Sequence, residues 1–196
     1  MKRILTFLLI LNGLCVSAQN NHTDDKGRKQ GKWVKKYENG KIRYTGIFKD
    51  DVPVGTFTYY FIREGGIMSE IQYRSLTGIG YAKVYHKSGT LQAEGRYNAQ
   101  EKDSTWTYYA RTGLLTQRED YSKGILNGIQ LTYWENGTVS QRIEFKEGLE
   151  DGNWIRKWED GTLRTKGLYK AGQLEGECKF YEEEGKIIAK GEYHNG

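Results

Sequence analysis

Two rhythms run through this sequence. The short one is an alternation. Ile42, Tyr44, Gly46 and Phe48 share one side of an extended segment, Arg43 and Thr45 take the other, and Ile47 breaks the polar side. Leu91, Ala93, Gly95 and Tyr97 oppose Gln92, Glu94 and Arg96 in the same way. A period of two predicts half-buried β-strands. The long rhythm is a repeat of 24 residues: Gly31, Gly55, Gly80, Ser104, Gly128, Gly152 and Gly176 open seven units, with one step of 25 between Gly55 and Gly80. A second glycine marks a turn in every unit (Gly40, Gly65, Gly89, Gly113, Gly137, Gly161, Gly185). An aliphatic residue follows it by two positions, Ile42 in the first unit and Ile187 in the last, and an aromatic by eight, Phe48 and Tyr193. Periods of this length signal a repeat architecture.

Each unit reads as a β-hairpin. Asn39-Gly40, Asn136-Gly137 and Asp160-Gly161 predict tight turns whose central residues need positive φ. The turn sets the partners: Tyr37 opposite Ile42, Lys35 opposite Tyr44 and Trp33 opposite Gly46, repeated as Trp158 opposite Leu163 and Trp154 opposite Gly167. A large ring over a mid-strand glycine restores the burial that glycine lacks. In the fifth unit the sizes reverse, with Gln130 facing Ile143. Two pairs fit poorly: Ala82 and Gly95 are both small, and Trp106 faces the carboxylate of Glu119. The extra residue of the second unit falls among Tyr59 to Glu64. Between units, stretches such as Lys146–Asp151 and Lys170–Glu175 read as short polar loops, which suit antiparallel neighbours. The fold predicted is all-β: a single elongated, twisted, antiparallel meander sheet of seven hairpins, about 65 Å long for fourteen strands at ~4.8 Å each.

The units resemble the MORN repeat in its bacterial variant, found in antitoxin-like proteins of the YwqK type. The likeness rests on Gly31-Lys32-Trp33, Tyr37-Glu38-Asn39-Gly40-Lys41-Ile42 and Gly46-Ile47-Phe48, which return as Gly152-Asn153-Trp154, Trp158-Glu159-Asp160-Gly161-Thr162-Leu163 and Gly167-Leu168-Tyr169. It covers residues 27–196, and departs from the pattern at Ser104, Ile71, Glu119 and Ile143, where glycine is usual. The resemblance implies a β-hairpin repeat module and, through the family's label, an antitoxin role. It also brings in phospholipid binding, which has been proposed for MORN repeats elsewhere.

The first residues stand apart from the repeat. Lys2 and Arg3, an apolar run from Ile4 to Leu11 and the small residues Val16-Ser17-Ala18 have the layout of a secretory signal peptide over residues 1–18, cleaved near Ala18-Gln19. The run is too short for a membrane span, and Leu14 before Cys15 argues against a lipoprotein signal. Residues 19–30 read as a polar N-terminal tail and 31–196 as the array. Cleavage removes two cations and no acid, so the formal charge of +5 falls to +3. That balance, with charges interspersed, gives no reason to expect nucleic acid as a partner. Cys178 is then the single cysteine, most simply a small core residue.

The search for chemistry finds little. His22, His86 and His194 share no metal-ligand spacing, and nothing resembles a nucleophile on a sharp turn or a phosphate loop. His86 reads as a strand surface residue, and Glu150 and Asp151 as acids of a solvated loop. No enzyme activity, metal or cofactor is expected. One row of aromatics stands out: Tyr60, Tyr85, Tyr109, Tyr133 and Tyr181, each five residues after the opening position and, by alternation, on the face opposite Trp33 and Trp154. Such a row serves either to shield the backbone of a single sheet or as a recognition surface. The expectation is an exported interaction module binding a protein or cell-envelope component. A toxin partner or a membrane surface is the alternative, the latter weakly supported by a charge of +3.

Overall fold

The computed structural model describes residues 20–74 and 76–196. The segment expected to be a signal peptide, with its expected cleavage site, lies outside them. The strands are β1 (His22–Thr23), β2 (Lys29–Lys36), β3 (Ile42–Lys49), β4 (Val52–Tyr60), β5 (Ile67–Tyr73), β6 (Gly80–Tyr85), β7 (Leu91–Asn98) and β8 (Glu101–Tyr109). They continue as β9 (Leu115–Ser122), β10 (Ile125–Tyr133), β11 (Val139–Lys146), β12 (Leu149–Lys157), β13 (Leu163–Lys170), β14 (Gln173–Leu174), β15 (Gly176–Tyr181) and β16 (Ile187–Tyr193). All belong to one open antiparallel sheet in chain order, β14 pairing with β13 beside β15. The fourteen expected strands are all present, the last but one interrupted at Glu175, and β1 is added at the edge.

That addition corrects the reading of residues 19–30 as a tail. His22 pairs with Gln30 and Thr23 with Lys29. The Asn21 amide donates to the Val34 carbonyl at 3.1 Å and accepts from the Val34 N–H at 2.7 Å. Asp24 holds the bend, accepting from the Arg28 guanidinium at 2.6 Å, which keeps its carboxyl well below the usual carboxylate range. The short hairpin covers part of the β2 edge, where unpaired backbone groups would otherwise invite another strand.

The hairpin register holds in the strands and shifts at the turns. Trp33 faces Gly46 and Lys35 faces Tyr44, but Lys36, not Tyr37, pairs with Ile42, because a bulge intervenes. Lys157, not Trp158, likewise pairs with Leu163. The turn itself runs Tyr37-Glu38-Asn39-Gly40, closed by Gly40 N–H to the Tyr37 carbonyl at 3.0 Å. Only Gly40 has positive φ, 80°, while the Asn39 side chain accepts the Lys41 N–H at 3.1 Å. This is a β-turn followed by a glycine bulge rather than a two-residue turn with both centres left-handed. In the second unit Gly65 N–H reaches back one residue further, to the Phe61 carbonyl, which absorbs the extra residue.

The two-residue turns with both centres at positive φ occur between units instead. Lys49 pairs with Val52 across Asp50 and Asp51 (φ 53° and 66°), and Asn98 with Glu101 across Ala99 and Gln100 (φ 49° and 72°). Pairing thus runs almost through the segments expected as loops. Glu150 and Asp151 stand in β12, and His86 sits in the turn after β6 rather than in a strand.

One face of the sheet carries the rings. Phe48, Phe57 and Tyr73 meet edge-on at 5.0 and 5.6 Å between centroids, and Tyr97 meets Trp106 at 4.8 Å. The best-buried cluster is Ala82, Ala93 and Trp106, with Ile71, Val84, Tyr97, Tyr108 and Tyr121 packed around it. Here the expected cover of glycine is corrected. A Cβ on Gly46 would lie 2.5 Å from Phe57, and one on Gly95 2.4 Å from Trp106. The covering ring comes from the following unit, not from the hairpin partner. Only Gly167 is shared, with Trp154 at 3.3 Å and Cys178 at 3.1 Å. This resolves the two poor fits: Trp106 covers Gly95 opposite Ala82, and Glu119 enters a polar cluster described below.

Candidate binding site

The aromatic face is uneven, and the reason is residue size at one repeated position. Two residues after the opening position stand Phe57, Ala82 and Trp106 in successive units. Phe57 and Trp106 are buried large rings, and Ala82, also fully buried, is the low floor between them. Gly80 beside it is the one opening glycine not at positive φ. β5 and β6 accordingly pair without the register shift seen at the joins β3–β4, β7–β8, β9–β10 and β11–β12, and a six-residue connection replaces the two-residue turn between them. These departures leave a groove of about 620 Å³. Phe57, Tyr59, Tyr73 and Tyr97 form its aromatic walls and Ile71 and Val84 its aliphatic lining, with Lys29 and Asp51 at one end. The groove is thus mostly apolar with a few polar groups at the rim, the usual make-up of a recognition site.

Burial pushes the phenols of Tyr59, Tyr73 and Tyr97 above their ordinary values, so all three stay protonated as hydrogen-bond donors at the groove. The Lys29 ammonium lies 5.3 Å over the Trp33 ring and 4.8 Å over Phe48, a cation–π arrangement at the groove's end.

Beyond Trp106 the face turns polar. The Lys102 ammonium stands 5.0 Å over Trp106, 5.0 Å over Tyr108 and 4.8 Å over Tyr121, and donates to the Tyr108 hydroxyl at 2.6 Å. Glu119 accepts from the Tyr121 hydroxyl at 2.7 Å, Gln117 at 2.9 Å and Gln130 at 3.0 Å. Burial pulls the Lys102 ammonium down and Glu119 opposes it. The carboxylate opposite Trp106 is therefore a satisfied member of a network, which makes its half-buried position tolerable.

The tyrosine row lies elsewhere. The Tyr85 hydroxyl donates to Glu70 at 2.9 Å and the Tyr109 hydroxyl to Glu94 at 2.9 Å, on the face opposite the groove. Burial first, and these carboxylates second, push both phenols up. Tyr60, Tyr133 and Tyr181 occupy the same register position, opposite Ile67, Val139 and Ile187, and all five are half-buried. Their strand positions also anchor neighbouring turns. The Tyr37 hydroxyl donates to the Tyr60 carbonyl at 2.8 Å, His86 Nε2–H to the Tyr109 carbonyl at 3.1 Å, and the Trp134 indole N–H to the Lys157 carbonyl at 3.2 Å. His86 is thereby a structural link between units. In the sequence the groove residues read as ordinary strand aromatics; the signal available was Ala82, small where Phe57 and Trp106 in the adjacent units are large.

The polar face carries its own backbone links. Glu144 accepts the Asn153 N–H at 2.9 Å and pairs with Arg142 at 2.7 Å, which holds its carboxyl below the ordinary value, the backbone bond contributing most. Cys178 is buried, and burial pushes its thiol up. Among the described residues no group of three or more His, Cys, Asp or Glu side chains could hold a metal ion, and no helix is long and apolar enough to cross a membrane.

An open single-layer sheet of hairpin repeats with an aromatic groove on one face defines the class: a β-repeat protein. The MORN repeat variant family matches residues 29–50, 79–99, 126–147, 150–171 and 174–195, more than half of the chain, and the chain belongs to that family. Its repeats are modules for protein or membrane interaction, and the all-β fold is typically non-catalytic. The match passes over the second and fourth units, those with the longer turn and with Ser104, yet both form hairpins, β4–β5 and β8–β9. No curated protein matches. The crystal structure of TarM aligns with TM-score 0.38 and 13% identity over 55% of this chain and 22% of that one, so the chain spans about a fifth of that protein's length.

Proposed function

We propose that this protein is an exported, non-enzymatic interaction module that docks an apolar segment of a protein partner in the groove above Ala82. The observation that carries the reading is the groove itself: about 620 Å³ of aromatic-walled space, made by a small residue where the units on either side place Phe57 and Trp106. A repeat built only to shield its own backbone has no need of that gap, since filling it would add buried apolar area at about 25 cal/mol per Å². Export rests on the leader-like first eighteen residues.

Photo-crosslinking in the native cells tests this. A benzophenone amino acid replaces Tyr73 in the groove in one variant and Tyr109 on the opposite face in another. Crosslinks to a defined protein from position 73 and none from 109 are expected. Crosslinks from 109 alone would shift the reading to the tyrosine row. Capture of a toxin at 73 would support the antitoxin role, and capture of lipid a membrane-surface role. Sequencing the mature N-terminus in the same cells is expected to begin at Gln19; a cytosolic protein beginning at Met1 would overturn export.

A further inference from the structure

We propose a second binding site, for a compact dianionic oxyanion such as a phosphate or sulfate group, on the aromatic face at the turn edge of the fifth and sixth units. A separate cavity of about 220 Å³ lies there, lined by Thr132, Ser140, Gln141, Arg156, Lys157 and Arg164 together with Trp134. Thr132 and Arg156 stand four residues after their opening glycines, where Tyr59 and Val84 line the apolar groove, so the two sites share a face. Their chemistry is opposite. Arg156 and Arg164 line the smaller cavity, with Lys157 beside them and no carboxylate.

The repeat shows that these arginines are not required by the fold. The position of Arg156 is held by Tyr59, Val84, Tyr108, Thr132 and Phe180 in five other units and that of Arg164 by Met68, Gln92, Thr116, Ser140 and Ile188, while the first unit alone also carries cations there, Lys35 and Arg43. Arg156 and Arg164 are both half-buried, and among the described residues neither pairs with an acid. A half-buried cation without a counter-charge is costly, and an anion from solution relieves that cost. Arg164 is held in place, its guanidinium carbon 4.4 Å over the Trp158 ring. Gln141 turns its oxygen to the Trp154 indole N–H at 3.5 Å, which leaves its amide N–H groups as donors. The cavity thus offers two guanidinium forks, two hydroxyls and an amide, donors that an oxyanion accepts on all sides. Two fixed positive charges, with Lys157 at the margin, match a dianion better than a single carboxylate.

The test is a titration of the folded chain with sodium sulfate and with sodium phosphate, chloride holding the ionic strength constant. The arginine Nε–Hε resonances are followed by NMR. Saturable one-to-one shifts of Arg156 and Arg164 are expected. Arg156→Gln and Arg164→Gln should each weaken binding about tenfold or more, the loss of a charge-assisted hydrogen bond. Arg111→Gln, at an exposed turn, should leave it unchanged. Backbone amide spectra establish that each variant is folded. Linear, unsaturated shifts, or equal saturation in a folded Arg156→Gln, would overturn the site. Phosphatidylcholine vesicles with and without phosphatidic acid distinguish sources: binding that requires phosphatidic acid and Arg156 assigns the anion to a lipid headgroup, and binding of soluble phosphate alone assigns it to free phosphate. The proposal does not rest on the groove. Crosslinking at position 73 tests the groove alone, and this titration the cationic cavity alone.

Discussion

Gly95 has no room for a methyl group. A Cβ there would stand 2.4 Å from the Trp106 ring, and Trp106 is buried and anchored by its indole N–H to the Arg96 carbonyl at 2.9 Å. The ring cannot step aside without losing that bond. Gly95→Ala should therefore destabilise by about 3 kcal/mol, the upper end of overpacking costs, read as a lower urea midpoint. Gly40 has open space around it and is constrained only by its φ of 80°. Gly40→Ala should cost about 1 kcal/mol, the strain of a left-handed alanine. Both glycines recur in the repeat and look equivalent in the sequence. Which one is steric and which conformational depends on a ring brought from the next unit, and Ala82 explains itself in the same way.

The hairpins are held at their two ends by different turns. Within units a glycine bulge follows a β-turn, and the Asn39, Asn136 and Asp160 side chains accept the backbone N–H two residues on. Between units the two-residue turns require positive φ at both centres, and later units meet this with a glycine at the second, as in Lys123-Gly124 and Glu147-Gly148. The third unit places Gln100 there, at φ 72°. Gln100→Gly should stabilise by about 1 kcal/mol, the left-handed penalty removed, measured as a higher urea midpoint than wild type. The hairpins themselves were legible from alternation and glycine spacing. The turn types were not, because Asn-Gly is compatible both with a two-residue turn and with the end of a longer one; cross-strand hydrogen bonds decide between them.

In the whole sheet each strand pairs only with its immediate neighbours, so stability is a chain of local interfaces rather than one shared core. Burial concentrates where Ala82, Ala93 and Trp106 meet, while most of β16 is exposed. Amide hydrogen exchange should accordingly be graded: slowest in β7 and β8, fastest in β16, with no single global rate. Uniform protection along the sheet would contradict that. The repeat, the all-β meander and most strand partners followed from the sequence, because a period of two and recurrent glycines constrain the backbone residue by residue. The tyrosine row could also be placed on its face by counting. The groove, the Lys102–Glu119 network and the cationic cavity could not, since each joins residues from neighbouring units, and the register shifts by two residues at joins such as β3–β4 and β7–β8, by none between β5 and β6, and by one at the bulge inside a hairpin. A one-residue shift changes which side chains share a face, and only the folded sheet shows where those shifts fall.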